Sequence, residues 1–443
     1  MTSAPASTAP PAGLLSKLGI PPLTGHTKFV FATGIDSLGT GLVTVFILIY
    51  FVKTTTLTLP AIGGAMTMAR LLAVPTALVV GPLLDRWGAR TVAAAGNIVC
   101  ALGFTGFLFV ESVGQLVAVV LLVQIGQTTY WTCSSALIVL ASPKQDRTRW
   151  FGFVHALRNA AMGLGGALGS AWLVVGSAAG LDGIVLGNAA SCLLAALLLM
   201  SWRPEAAAGR RDTAAADSPP PGIPTEPNPR AGYAAVLRDT RYLLLVAINL
   251  TFVFGALLIN VLLAIYIVEG LNRGPWIAGA LLVLAAVQVS LTQTAVSKRL
   301  DRYRTTRVLL VACLLNAVAF GLFALMDIAP AWTVVPGLFL AMFVLTIGET
   351  VWSPPIDSLS VSLAAEHTQG RYLAIYQLSW TFGQITAPAL FTFLLARGAV
   401  LPLLFLLAVT AVAVPMVLLL ERMITARTSS AAPLIDDRQL AAA

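Results

Sequence analysis

Four charged side chains stand inside long apolar stretches of this chain: Asp36, Arg70, Arg158 and Glu349. A charge at the centre of a lipid-facing helix costs roughly 2.5–3.5 kcal/mol even on lenient scales, so such groups face a partner, water or a cavity. Two of the four are carboxylates, which can exchange a proton as their surroundings change. The other two are guanidiniums, which keep their charge throughout. The chemistry open to this set is proton exchange and ion binding. No Walker loop, HExxH pair or nucleophile elbow occurs, so ATP hydrolysis and the common hydrolytic reactions are not expected, nor is any cofactor or metal.

Glu349, in the stretch "LTIGETVWSPP", is the preferred proton carrier; a capping or bundle-stabilising role beside a helix break at Pro354-Pro355 is the other reading. Asp36 is the second candidate, with Thr40 and Thr44 following at i+4 and i+8 on one helix face. Asp36 and Arg158 lie at similar depths in their segments, roughly 12 Å from the same side at 1.5 Å per residue, and are expected to pair. Arg70 sits near the middle of its segment, where it either pairs or attracts an anion. Asp357 is expected at the membrane surface.

Amides and aromatic rings recur at helical spacing. Gln124, Gln127 and Trp131 share one face, as do Tyr376, Trp380 and Gln384, while Asn249 and Asn260 lie on another segment. Individually such residues join helices through hydrogen bonds. Together with Arg70 they form the expected lining of a cavity for a partly planar, amphipathic molecule.

The elements that must position these groups follow from composition. Of 443 residues, 58% are hydrophobic and only 10% charged, against roughly 25% in a soluble domain. The chain is an all-α integral membrane protein. Stretches long enough to cross a bilayer lie near 29–51, 59–81, 91–111, 115–140, 151–176, 181–201, 242–268, 275–297, 307–326, 331–353, 372–396 and 400–420, twelve in all. The net charge of +8 does not point to nucleic acid, because 22 of the 27 Lys and Arg fall in alternate loops and the termini. Under the positive-inside bias those loops and both termini are cytoplasmic, in a plasma or inner membrane. Residues 1–28 and 422–443 read as tails, and the Pro- and Ala-rich stretch 202–241 as a linker between bundles spanning 29–201 and 242–421. Its end, "AGYAAVLRDTR", has the makings of a short interfacial helix. Cys100, Cys133, Cys192 and Cys313 all lie in apolar runs and read as small core residues. Ala161, Gly165 and Gly169 recur every fourth residue and mark a close helix contact.

One charged knot is repeated. "GPLLDRWGAR", with Gly81, Asp85, Arg86, Gly88 and Arg90, follows the second apolar stretch, and a looser copy with Asp301 and Arg302 follows the eighth. Equivalent placement implies two pseudo-symmetric six-helix halves and a latch on the cytoplasmic side. The first copy resembles the G-x-x-x-D-R-x-G-x-R sequence of the major facilitator superfamily. "LRNAAMGLGGALGS" is similar to the glycine-rich fifth helix of that family's twelve-helix drug/proton antiporters, although it has no proline and residues 115–140 hold no Lys or Arg. The resemblance implies an alternating-access transporter, a monomer in lipid, whose partners are protons and a small-molecule substrate and whose latch stabilises the outward-facing state. Proton-coupled efflux of small hydrophobic or amphipathic compounds is the first expectation. An importer or uniporter of a polar nutrient, and a non-transporting receptor or scaffold, stay open.

Overall fold

The computed structural model describes residues 20–44, 46–175, 178–204, 232–274, 276–365 and 368–430, and among them every regular element is helical. The long helices are α1 (Thr27–Thr44, with Ile47–Thr54 beyond it), α2 (Leu59–Ala73 and Thr76–Trp87), α3 (Ala89–Gly106), α4 (Val113–Ala141), α5 (Arg147–Val175) and α6 (Ala178–Ser201). The second half has α7 (Thr240–Leu257, running on to Gly270), α8 (Trp276–Leu300), α9 (Thr305–Leu325), α10 (Ala331–Leu363), α11 (Gln369–Leu395) and α12 (Leu401–Ser430). Among the described residues nine helices are long and apolar enough to cross a membrane, and α2 makes a tenth when its two pieces are taken as one span. Of the twelve expected spans, α1 is outside that count because it is described in two pieces. The other is α5, 29 residues long, which carries Arg147, Arg149, His155 and Arg158 along its length.

Within the first half α1 packs on α5 and α6, and α3 on α4 and α6; within the second, α9 packs on α10 and α12, and α7 on α11 and α12. The small face of α5 works as its spacing predicts: a Cβ at Gly165 would lie 2.0 Å from the Leu38 carbonyl oxygen, and one at Gly169 2.9 Å from that of Leu42. The halves meet through α5 against α8 and through α11 against the Thr76–Trp87 piece of α2. Both contacts lie toward one end of the molecule, where the apolar core of the first half takes in Val361 and Leu373 from the second. That end is closed. It also carries the basic loops and the described parts of both termini. Lys28 Nζ donates to the Ser201 carbonyl at 3.1 Å, Trp202 Nε1 to that of Gly25 at 3.2 Å, and Arg149 to that of Ile20.

Proline bears on two departures from the expected elements. Pro75 has no N–H to give and its ring crowds the preceding turn, so α2 bends by 43° between its pieces. The inner piece packs on α11 and continues past the expected end at 81, so Asp85, Arg86 and Trp87 form its last turn and the loop is Gly88 alone. By contrast, Pro354 and Pro355 do not end α10, which runs through them. Pro354 leaves the carbonyl of Thr350 without its helical donor, and Gln293 Nε2 supplies one at 3.3 Å. The expected interfacial helix forms as Tyr233–Arg238; most of the 202–241 linker, at 205–231, lies outside the described residues.

Candidate functional site

Above the closed end, α2, α4, α5, α7, α10 and α11 surround a cavity of about 700 Å³. Counting helical rise from the closed end places its residues in layers. At the floor, about 10 Å up, are His155, Asp357 and Tyr376. About 16 Å up, Arg158 and Trp131 face Trp352 and Trp380, with Glu349 and Gln127 about one turn higher. Arg70, Gln124, Asn260 and Gln384 are nearest the mouth.

The floor is a hydrogen-bonded pin between the halves. His155 Nε2 on α5 lies 2.8 Å from Asp357 Oδ2 on α10 and 3.3 Å from Ser353 Oγ. The Tyr376 hydroxyl is 2.7 Å from Asp357 Oδ1 and 3.0 Å from Asn249 Oδ1, and its one proton serves whichever acceptor it faces. Asn249 Nδ2 in turn donates to Ser379 Oγ at 2.7 Å. Asp357 is therefore a cavity residue rather than a surface one, and its pairing with His155 is absent from the sequence reading. Nothing in the chain order tells that α5 and α10 meet, although one of only three histidines in an apolar segment was a usable signal.

In the middle layer, Arg158 is 6% exposed. One Nη donates to Ser134 Oγ at 2.5 Å, the guanidinium carbon lies 4.7 Å from the centre of the Trp131 ring, and Nε has no hydrogen-bond partner among the described residues. Opposite, Trp352 and Trp380 stack at 6.4 Å and 25°, and Phe252 backs Trp352 at 4.9 Å and 13°. The expected pairing of Asp36 with Arg158 is not a direct one, since no Asp36 oxygen lies within 4.0 Å of the guanidinium. Asp36 occupies a separate pocket of about 20 Å³ with Ser37, Thr40 and Asn97, room for one water. Gln127, Trp131 and Met162 line both spaces and form the partition between them.

Arg70, Gln124, Gln127, Trp131, Asn260, Tyr376, Trp380 and Gln384 all line the cavity, together with Glu349 and Arg158. Asn249 does not; it is fully buried behind Tyr376 and holds that ring in place. Asn260 reaches the wall within a π-helical segment, Leu258–Leu262, whose wider turn rotates the residues after it.

The knot lies beneath the floor. Asp85 Oδ1 accepts the backbone N–H of Gly370 at 2.5 Å, in the first turn of α11, and Oδ2 is 3.8 Å from Arg371 Nε. A carboxylate at a helix start satisfies an orphan amide and meets the positive end of the helix dipole. The backbones nearly touch there, for a Cβ at Gly370 would lie 2.3 Å from the Gly81 carbonyl oxygen. Tyr233 donates to the Leu78 carbonyl across the same contact, and burial pushes its phenol up to about 12. Arg90 Nη1 donates to the Trp202 carbonyl at 2.5 Å, while Arg86, Asp301 and Arg302 are exposed.

The sequence profile of the Major Facilitator Superfamily matches residues 29–388. The chain belongs to that superfamily. Among curated proteins it is 24% identical over 328 residues to the multidrug resistance protein MdtH of Aeromonas salmonicida (strain A449), covering 73% of this chain and 76% of the relative. Its fold matches that of a bacterial homologue of the iron transporter ferroportin in an outward-facing state, with a TM-score of 0.72, 14% identity, and 89% and 99% of the two chains covered. It also matches the proton:xylose symporter XylE at a TM-score of 0.64, 14% identity, with 90% and 94% covered. Members of this superfamily are transporters of small molecules, and the two halves around a central cavity are the superfamily fold in this chain.

Proposed function

We propose that this superfamily member exports small amphipathic compounds in exchange for protons, by alternating access across a plasma or inner membrane with its basic end in the cytoplasm. One observation carries the reading: a cavity of about 700 Å³ lies between the halves, walled by Trp131, Trp352, Tyr376 and Trp380 and lined by two carboxylates, of which Glu349 forms no ion pair within 4.0 Å among the described residues. Aromatic walls with scattered amides bind planar, partly apolar molecules. A carboxylate in such a wall is placed to exchange a proton as access alternates. Glu349 is the first proton carrier and Asp36 the second, with Arg158 between them as the cation that responds to both. The names of the curated relatives, multidrug resistance proteins, support efflux as the direction. In this state the cavity opens away from the basic end, so it is the release form of an exporter.

Proteoliposomes loaded with a panel of amphipathic dyes and given a pH gradient test the reading. Gradient-driven flux is expected in the wild type, and Glu349→Gln is expected to lose at least about tenfold of it, in line with removal of a coupling proton site. Flux that survives the substitution moves the site to Asp36. Flux indifferent to the gradient ends the antiport reading.

A further inference from the structure

The two walls of the cavity differ in charge. Its permanently cationic groups, Arg70 and Arg158, both stand on the first half, and its carboxylates, Glu349 and Asp357, both stand on the second. Asp357 is engaged by His155 at 2.8 Å and by Tyr376 at 2.7 Å. Neither arginine has a carboxylate oxygen within 4.0 Å among the described residues. Asp36, the nearest acid behind Arg158, is held on the far side of the Gln127–Trp131 partition.

Burial sharpens the point at Arg158. It is nearly enclosed, yet its hydrogen-bond partners among the described residues are the neutral hydroxyls of Ser134 and Tyr130, and Nε has none. A guanidinium removed from water and left short of acceptors is under-compensated, and the group that best compensates it is a carboxylate or another planar oxyanion. The Trp131 ring lies against the guanidinium at 4.7 Å and is itself 43% exposed, leaving an aromatic surface beside the charge. The stacked Trp352–Trp380 pair faces it across the cavity.

We infer that the cavity takes amphipathic organic anions: an aromatic ring lodged between Trp131 and the Trp352–Trp380 pair, with its acid group on Arg158. Arg70, nearest the mouth, draws the anion in, so its effect falls on the association rate and fades with salt. The wall opposite, with Glu349, disfavours a second negative charge on the ligand, which limits the class to monoanions. This assignment rests on the cavity being the transport site.

The test uses the full chain in lipid nanodiscs and three isosteric probes: 1-naphthoate, the neutral 1-naphthamide and the cation 1-naphthylmethylammonium, with binding read by calorimetry. Naphthoate is expected to bind at least about tenfold more tightly than the amide, the usual scale of a charge-assisted hydrogen bond. Arg158→Gln is expected to erase that preference by weakening naphthoate far more than the amide, and Arg158→Lys to keep most of it. Because Arg158→Gln could disturb folding, the retained amide affinity and the lysine variant separate lost charge from lost structure. Arg70→Gln should slow naphthoate association about threefold at low salt and have little effect at high salt. Tightest binding by the ammonium probe, or a naphthoate preference that survives Arg158→Gln, overturns the inference. Trp380→Ala separates the two levels of the reading. If it weakens every probe but no anion preference exists, the anion class fails and the cavity stands; if it weakens none, the cavity reading fails too.

Discussion

The two copies of the charged knot sit at equivalent places and do different things. In the first, α2 gives way to α3 through Gly88 alone, at φ +78° and ψ 156°, a conformation open to glycine and closed to most other residues. The tight link fixes the last turn of α2, and Asp85 meets the start of α11 at 2.5 Å. In the second copy Arg304 stands three residues after Asp301, where the first has Gly88. The link from α8 to α9 then takes residues 301–304, and Arg304 is extended at φ −63° and ψ 127°. Asp301 faces solvent and is only partly sheltered, by Thr148, Arg149 and Asp146 at the start of α5. The lesson is that topology brings an aspartate to a helix start in both halves, but only the glycine link seats it as a cap.

The largest effect is expected where the first contact is tightest. Gly370→Val would push a side chain into the Gly81 carbonyl oxygen, 2.3 Å from the new Cβ, and into Asp85 Oδ1 at 2.7 Å. Backbone cannot yield as a side chain can, so α2 and α11 must separate. Overpacking of this kind costs about 1–3 kcal/mol, which lowers the closed-to-open ratio about five- to 150-fold. The counterpart at the α5–α8 contact, Gly152→Val, meets the Ser297 side chain, with Oγ at 1.9 Å and Cβ at 2.3 Å. A double variant with Ser297→Gly should relieve it, whereas no side-chain change relieves Gly370→Val. Distances between spin labels on the exposed Arg86 and Ser362 would read the opening. Equal rescue at both contacts would break the asymmetry.

Hydropathy and one dense motif made the frame legible, because a helix in lipid must satisfy its own backbone and therefore announces its length. The cavity wall was legible for a related reason: Gln124, Gln127 and Trp131, or Tyr376, Trp380 and Gln384, share a face by spacing alone, and a polar face in an apolar helix turns inward. What spacing does not encode is which inward faces meet. The His155–Asp357 pin depends on α5 approaching α10 across the halves, and Asp357 reads as a surface group once Pro354-Pro355 is taken for an end. That reading failed because the compensating donor, Gln293, comes from another helix. Asn249 and Asn260 lie on one helix, yet one is sealed and the other lines the cavity, through a π-helical turn that no propensity reveals. Equal depth for Asp36 and Arg158 was a sound inference about height and carried no information about the Trp131 partition between them.

A second, smaller difference is expected from the carboxylates themselves. Asp85→Asn keeps an acceptor for the Gly370 N–H but loses the charge that strengthens the bond and holds Arg371. About 1–2 kcal/mol of closure should go with it, and transport should slow about tenfold. Asp301→Asn removes an exposed carboxylate and should change transport less than about twofold. Flux assays on both variants at one pH decide the matter, and comparable losses would mean that the second copy is also a working cap.

Acidity probes the same comparison at its weakest point. Partial burial raises Asp301 above the ordinary aspartate value of 3.8; the Thr148 hydroxyl works against that, Asp146 adds to it and Arg149 opposes it. A raised value means that the closed form holds the proton more tightly than a form in which α8 has left α5. Acidification therefore favours closure at this contact, and the advantage is lost as pH climbs from the ordinary range through the raised value, with no further change above it. Spin labels on Gln145 and Tyr303, both exposed, should show a larger closed fraction at the acid end of that window, and Asp301→Asn should hold the fraction flat. The labels on Arg86 and Ser362 report the α2–α11 contact, where Asp85 is fixed by Gly370 and Arg371 and has a different set of neighbours. A slope that survives Asp301→Asn would exclude Asp301 as the titrating group. A slope of opposite sign would mean that the closed form favours a charged Asp301, and would overturn this reading of the second copy.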